Sequence, residues 1–261
     1  MSANKRRALV LLAAFGGLVV VLGLVLALIT GLGPVVVLAA VVIGAAVAVS
    51  AHRRSDAMVL SMSGAREIAA GEQARLHNVV EGLCVAAGLP KPRLFVLDDD
   101  APNACAVGRD PKHAALVVTT GLVDKLSRIE LEGVVAHELS HIKSYDTLVS
   151  TLAATLVGTV ARPLPAAVVA RMVRWVVDVD QERLADVAGV ALTRYPPGLI
   201  SALEKVAHDP ASLRSAPRAM AHAWIEEPAA AARSGATGTS SGRALVTRPP
   251  IEERIEALRE L

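Results

Sequence analysis

The most informative stretch of this chain is SRIELEGVVAHELSHIK, residues 127–143. Ser127 and Glu130 predict a capping box: the serine oxygen accepts the N–H of the third helical residue, and the glutamate reaches back to the serine N–H. A helix then runs to about Lys143. It carries His137-Glu138-Leu139-Ser140-His141. Histidines at i and i+4 lie on one face, one turn apart, so both imidazoles reach a single metal ion. Glu138, beside the first of them, reaches a water on that ion without itself binding it.

Two imidazoles need a third protein ligand. Zinc suits two histidines and a carboxylate with a fourth position left open. Glu182, 41 residues beyond His141, stands in Glu182-Arg183-Leu184-Ala185-Asp186 on an expected helix 180–192. There Glu182 and Asp186 share a face, so one can bind the ion while the other fixes the tautomer of a ligand histidine. Spacing alone does not single this glutamate out, and His208 and His222 stay open as alternatives. His52, His77 and His113 read as ordinary surface or core histidines, and Cys105 as a small buried apolar residue. One zinc per chain, so held, lowers the pKa of a water and polarises a carbonyl, with Glu138 as general base. The expected reaction is hydrolysis of a peptide bond.

Upstream, Arg93–Leu97, Asn103–Val107 and Ala114–Thr119 read as short strands, the last two separated by Gly108-Arg109-Asp110-Pro111. A sheet edge beside the metal can hold an extended substrate by β-augmentation. Asp98-Asp99-Asp100 lacks the glycine and distal glutamate of a calcium loop and reads as a solvated turn. Ser63 to Ala87 reads as an amphipathic helix with Ile68, Leu76, Val79, Val80 and Leu83 on one side. Residues 228–242 are rich in Ala, Gly, Ser and Thr and read as a mobile loop. Residues 251–261 read as a terminal helix behind Pro249-Pro250. The fold class expected is α+β, mainly helical, with one small sheet.

The N-terminus has another texture. Ala8 to Ile29 and Pro34 to Ala51 carry no charge. Each is long enough, at about 1.5 Å per residue, to cross a bilayer. Lys5, Arg6 and Arg7 precede the first run, and Arg53 and Arg54 follow the second. By the positive-inside rule both flanks face the cytoplasm. The expected organisation is a transmembrane hairpin in residues 1–54 and a cytoplasmic catalytic domain in 55–261. Within that domain, residues 147–177 form a hairpin lying on or in the membrane, with four full spans as the rival. The wider composition agrees. The chain of 261 residues is 53% hydrophobic, with a mean hydropathy of +0.47, which excludes a disordered protein. Two cysteines exclude a disulfide scaffold. A net charge of +2 and 2% aromatic residues give no basis for nucleic-acid binding.

Together these segments resemble the HtpX-like membrane zinc metalloproteases, related to the CAAX prenyl proteases. The resemblance runs from the apolar hairpin to the last residue. It is carried by Asn103-Ala104-Cys105-Ala106-Val107-Gly108, by Val118-Thr119-Thr120-Gly121-Leu122 and by His137 to His141. It continues through Glu182 to Asp186, Ile200-Ser201-Ala202-Leu203-Glu204-Lys205 and Pro249-Pro250-Ile251-Glu252-Glu253-Arg254-Ile255. It implies a zincin-like domain with zinc on His137, His141 and Glu182, and Glu138 as the base. It also implies that Asn103 lies near the substrate and helps stabilise the oxyanion. The expected partners are protein or peptide substrates, membrane proteins among them, and the lipid bilayer. The expected place is a bacterial plasma membrane, and the expected role is protein quality control. Two positions depart from the family: Cys105 replaces an aromatic, and Arg248 replaces a histidine before the prolines. An arginine still donates to a developing oxyanion, which makes Arg248 a second candidate beside Asn103. Two other readings remain: a catalytically silent membrane adaptor of the same fold, which the presence of Glu138 disfavours, and a protease that processes prenylated proteins.

Overall fold

The computed structural model describes residues 3–31, 33–69, 71–160, 180–213, 220, 223–226 and 249–261. Two long apolar helices open the chain, α1 (Ala3–Thr30) and α2 (Gly33–Ser63), packed side by side. Gly23 lies where they touch: a Cβ there would come within 2.2 Å of the Ala40 side chain. Of the described helices, α1 alone is by itself long and apolar enough to span a bilayer. The arms of α2, Val35–Ser50 and His52–Ser63, meet at 59° and qualify only when taken together as one broken span. The second helix therefore runs past the expected boundary at residue 54.

The expected helix from Ser63 to Ala87 is corrected in its first half. Gly64 and Gly71 take positive φ, as does Gln73, and each breaks a helical path. The freed segment forms β1 (Arg66–Glu67), and only α3 (Ala74–Ala87) is helical. Ile68 still reaches the core, from the stretch after β1.

The strands β2 (Arg93–Leu97), β3 (Ala104–Gly108) and β4 (Ala114–Thr119) follow the sequence reading closely. The sheet order is β1-β2-β4-β3, with β2 parallel to β4 and the outer pairs antiparallel. Strand side chains alternate between two apolar layers. Leu94, Val96, Ala106, Leu116 and Val118 face the main core with Leu76, Val80, Leu131, Val135 and Leu203. Phe95, Cys105, Val107 and Val117 face the other side, against Val59 and Leu60 of α2 and Ala154. The sheet is thus sandwiched, which is why its strands are buried on both faces.

A short helix, α4 (Thr120–Lys125), leads into α5 (Arg128–Ser144). The capping box forms as expected: Glu130 Oε2 accepts from the Ser127 N–H at 2.7 Å, and Ser127 Oγ from the Glu130 N–H at 3.4 Å. Lys205 and Ser201 also bond the Glu130 carboxylate. Burial would raise this carboxyl, but those bonds hold it down at about 2. Then come α6 (Asp146–Val160), α7 (Asp180–Thr193), α8 (Pro196–His208) and α9 (Ile251–Arg259). Leu148, Val149 and Leu152 of α6 are buried. The second arm expected in residues 147–177, and the loop 228–242, lie outside the described residues.

Candidate metal centre

The ligand helices α5 and α7 pack closely, and glycines let α5 approach its neighbours. A Cβ at Gly189 of α7 would lie 2.9 Å from the His137 backbone nitrogen. One at Gly133 of α5 would lie 2.7 Å from the Leu199 nitrogen on α8. Backbone against backbone, α7 comes close enough to α5 for short carboxylates to meet imidazoles.

His137, His141 and Glu182 converge there, their candidate ligand atoms all within 4.8 Å of one another. No other such cluster of His, Cys, Asp or Glu occurs among the described residues. His208 is elsewhere, its Nδ1 against the Glu204 carbonyl, and His222 lies outside the described residues. The two Nε2 atoms of His137 and His141 are 3.2 Å apart. Glu182 Oε1 is 3.4 Å from the second, and Oε2 is 3.7 Å from the first.

Each imidazole is backed by an aspartate. His137 Nδ1 lies 2.8 Å from Asp186 Oδ1, and His141 Nδ1 lies 3.1 Å from Asp146 Oδ2. A carboxylate at Nδ1 keeps a proton there and turns the Nε2 lone pair inward. Asp186 was legible as such a partner; Asp146, at the start of the next helix, was not. Asn4 at the foot of α1 bonds the Asp146 carboxylate and accepts from Gln181 Nε2 at 3.2 Å. The first apolar helix therefore touches the site's outer ring.

Arg254 was also missed. Its guanidinium grips Asp186 at two points, Nε at 2.8 Å and Nη2 at 2.7 Å, and its Nη1 lies 3.4 Å from Glu182. It is 1% exposed. Burial would raise the Asp186 carboxyl, but Arg254 and His137 bring it below the ordinary range. A signal for Arg254 existed in the sequence. It falls on the apolar stripe Ile251, Arg254, Ile255, Leu258, where a charged residue needs a buried partner.

The donor set fits a divalent cation. Glu138, Asp146, Glu182 and Asp186 are all buried around the two imidazoles, and Arg254 is the buried arginine among the described residues. Burial would push the His141 imidazole down. Its bonds to Asp146 and Glu182, with the charges of Glu182 and Glu138, instead raise it to about 10. The cluster thus attracts positive charge where the two Nε2 atoms and Glu182 meet. Glu138 stands on the same turn as the first histidine and is 2% exposed.

Asn103 lies immediately before β3 and is 3% exposed. Its carboxamide clasps a backbone segment rather than open space: Nδ2 donates to the Glu226 carbonyl at 2.8 Å, and Oδ1 accepts from the Glu226 N–H at 3.2 Å. Arg248 lies outside the described residues. Cys105 is buried in β3, as expected.

The sequence pattern of Peptidase family M48 matches residues 70–261, strands β2 to β4 and the whole metal cluster included. A "Protease HtpX homolog" of Dictyoglomus turgidum is 37% identical over 239 residues, covering 80% of this chain and 76% of its own. One from Tropheryma whipplei is 37% identical over 237 residues, covering 79% of each. Another, from Streptococcus gordonii, is 32% identical over 299 residues, covering all of this chain and 98% of its own. No solved structure matches this chain. A match spanning three of the four strands, the histidine helix and the carboxylate helix, together with relatives alike along their length, establishes that the chain belongs to peptidase family M48.

Proposed function

We propose that this chain is a membrane-anchored zinc endopeptidase, with His137, His141 and Glu182 holding the ion and Glu138 as general base. The observation that carries this reading is the convergence of two aspartate-backed imidazoles and one carboxylate, with a further glutamate on the same helical turn. When bound, zinc would supply Lewis acidity, lowering the pKa of a water and polarising the scissile carbonyl. Glu138 takes the proton from the attacking water and passes it to the leaving amine. Asp186 and Asp146 hold the imidazoles in one orientation, and Arg254 holds Asp186. Asn103, whose carboxamide already binds one backbone segment, is the proposed contact for substrate backbone.

Membrane attachment is proposed on α1 and α2. Leu28, Ile29, Val35 and Leu38 project outward, and such exposed apolar surface is costly in water but satisfied in lipid. The basic flanks at Lys5–Arg7 and Arg53–Arg54 support a metal centre on the cytoplasmic side of the membrane, the proposed one being a bacterial plasma membrane. Membrane proteins are then the nearest substrates, and their quality control is the proposed role.

The test is casein cleavage by the purified protein in detergent, stripped of metal by chelation and then given zinc. The reading predicts loss on stripping and recovery with one zinc per chain. Cleavage that survives complete metal removal would contradict it.

A further inference from the structure

All four residues assigned to the chemistry are covered. His137 is 0% exposed, Glu138 2%, Glu182 4% and His141 8%. A peptide must come within hydrogen-bond reach of Glu138 to be cut, so part of the cover has to give way. One part of it is held at the sheet edge through its backbone.

The segment Trp224-Ile225-Glu226 lies on the free edge of β3. The register of β3 on β4 turns Ala104, Ala106 and Gly108 outward. The Ile225 N–H donates to the Ala104 carbonyl at 2.9 Å. The next residue, Glu226, has both its N–H and its carbonyl held by the Asn103 carboxamide. The segment is bent rather than a strand, and joins β3 through that one backbone bond and the Asn103 carboxamide. Trp224 enters the layer of Cys105 and Val107, and Ile225 enters the main core, on the other face of the sheet. The Ile225 carbonyl accepts from Arg254 Nη1 at 3.2 Å, and the same guanidinium nitrogen is 3.4 Å from Glu182. The Trp224–Glu226 backbone is therefore tied at once to the sheet edge and to the metal cluster.

We propose that Trp224–Glu226 is an intramolecular occupant of the substrate groove, and that a substrate strand displaces it to reach the metal. This rests on the protease reading above. Three groups hold peptide backbone at this edge: the Ala104 carbonyl, the Asn103 carboxamide and the Arg254 guanidinium. None of them reads a side chain, so any extended peptide can use them. Selection falls to the two places now filled by Trp224 and Ile225, both fully buried among apolar residues. The substrate class is an extended segment with two consecutive large apolar residues. Such a pair is buried in a folded soluble protein and exposed in an unfolded or unassembled one. The occupied edge keeps the groove closed to chains that offer less.

The test is hydrogen exchange at the Ile225 and Glu226 amides in full-length, zinc-loaded Glu138→Gln protein in detergent, with and without saturating unfolded casein. Displacement predicts exchange at least tenfold faster with casein. Unchanged or slower exchange would mean the segment is a fixed wall of the groove and would overturn the proposal. A second measurement uses the tetrapeptide Ala-Trp-Ile-Glu, blocked at both ends, against wild-type casein turnover. Competitive inhibition supports the proposal, and a tetrapeptide without effect at millimolar concentration speaks against it. Wild-type turnover with zinc reads the protease assignment by itself. If there is none, that assignment falls and this inference with it. If there is turnover but the amides do not respond, this inference alone falls.

Discussion

At the scale of single residues, the account turns on who holds the second ring nitrogen of each histidine. His141 retains a proton up to about pH 10 because Asp146 and Glu182 bond it, so zinc has to expel that proton to bind. An unperturbed histidine is already neutral above about pH 7 and would give no further gain. Apparent zinc affinity should therefore rise about tenfold per pH unit from pH 6 to 8.5, read by competition with a chelating dye. An affinity that levels off at pH 7 would show that His141 is not held as described. Arg254 provides the second test. Arg254→Leu leaves Asp186 buried without its partner, which costs about 3–5 kcal/mol of folding stability. Denaturant unfolding of the full-length protein in detergent should show it, and a loss under 1 kcal/mol would mean that Asp186 has another counter-charge. The histidine pair and Glu138 were legible because their spacing is itself the chemistry. Glu182 was legible through the helix face it shares with Asp186, but spacing alone did not separate it from its neighbours, and the family resemblance strengthened the choice. Asp146 stayed hidden because a turn with positive φ at Tyr145 brings it back beside His141, and no periodicity announces that.

At the scale of elements, the decisive contact is α7 on α5 at Gly189. Gly189→Ala places a methyl 2.9 Å from the His137 nitrogen and 3.0 Å from its Cα, so one helix must shift. Overpacking of this kind costs about 1–3 kcal/mol. It also moves Glu182 and Asp186 away from the histidines, so zinc affinity should fall at least tenfold while helix content by circular dichroism is kept. Unchanged zinc affinity would show that the carboxylates are placed by something other than this approach. Strands β2 to β4 and the start of α5 could be read from the sequence because local signals agreed there: apolar runs, a Gly-Pro turn and a capping box. The helix expected from Ser63 failed at its start because its apolar spacing continued through two glycines whose backbone belongs to turns. Pairing with Val96 and Phe95 then drew Arg66 and Glu67 into the sheet.

At the scale of the molecule, anchor and catalytic part are joined more tightly than a boundary at residue 54 suggests. Val59 and Leu60 of α2 pack beneath the sheet, and Asn4 of α1 reaches Asp146. The proposed topology predicts that Gly31→Cys is labelled in intact cells by a membrane-impermeant thiol reagent and that Arg66→Cys is labelled only after lysis. The reverse pattern would put the metal centre outside. Hydropathy made α1 plain, but it could not show the 59° bend in α2, because that bend lies in a stretch whose composition stays helical. The central claim is that Glu138 performs the proton transfers beside an ion held by His137, His141 and Glu182. The most direct measurement compares casein cleavage by wild type and Glu138→Gln at equal, verified zinc content. The account predicts that the variant keeps its zinc and loses cleavage by at least a thousandfold. A zinc-loaded variant that cuts at the wild-type rate would contradict it.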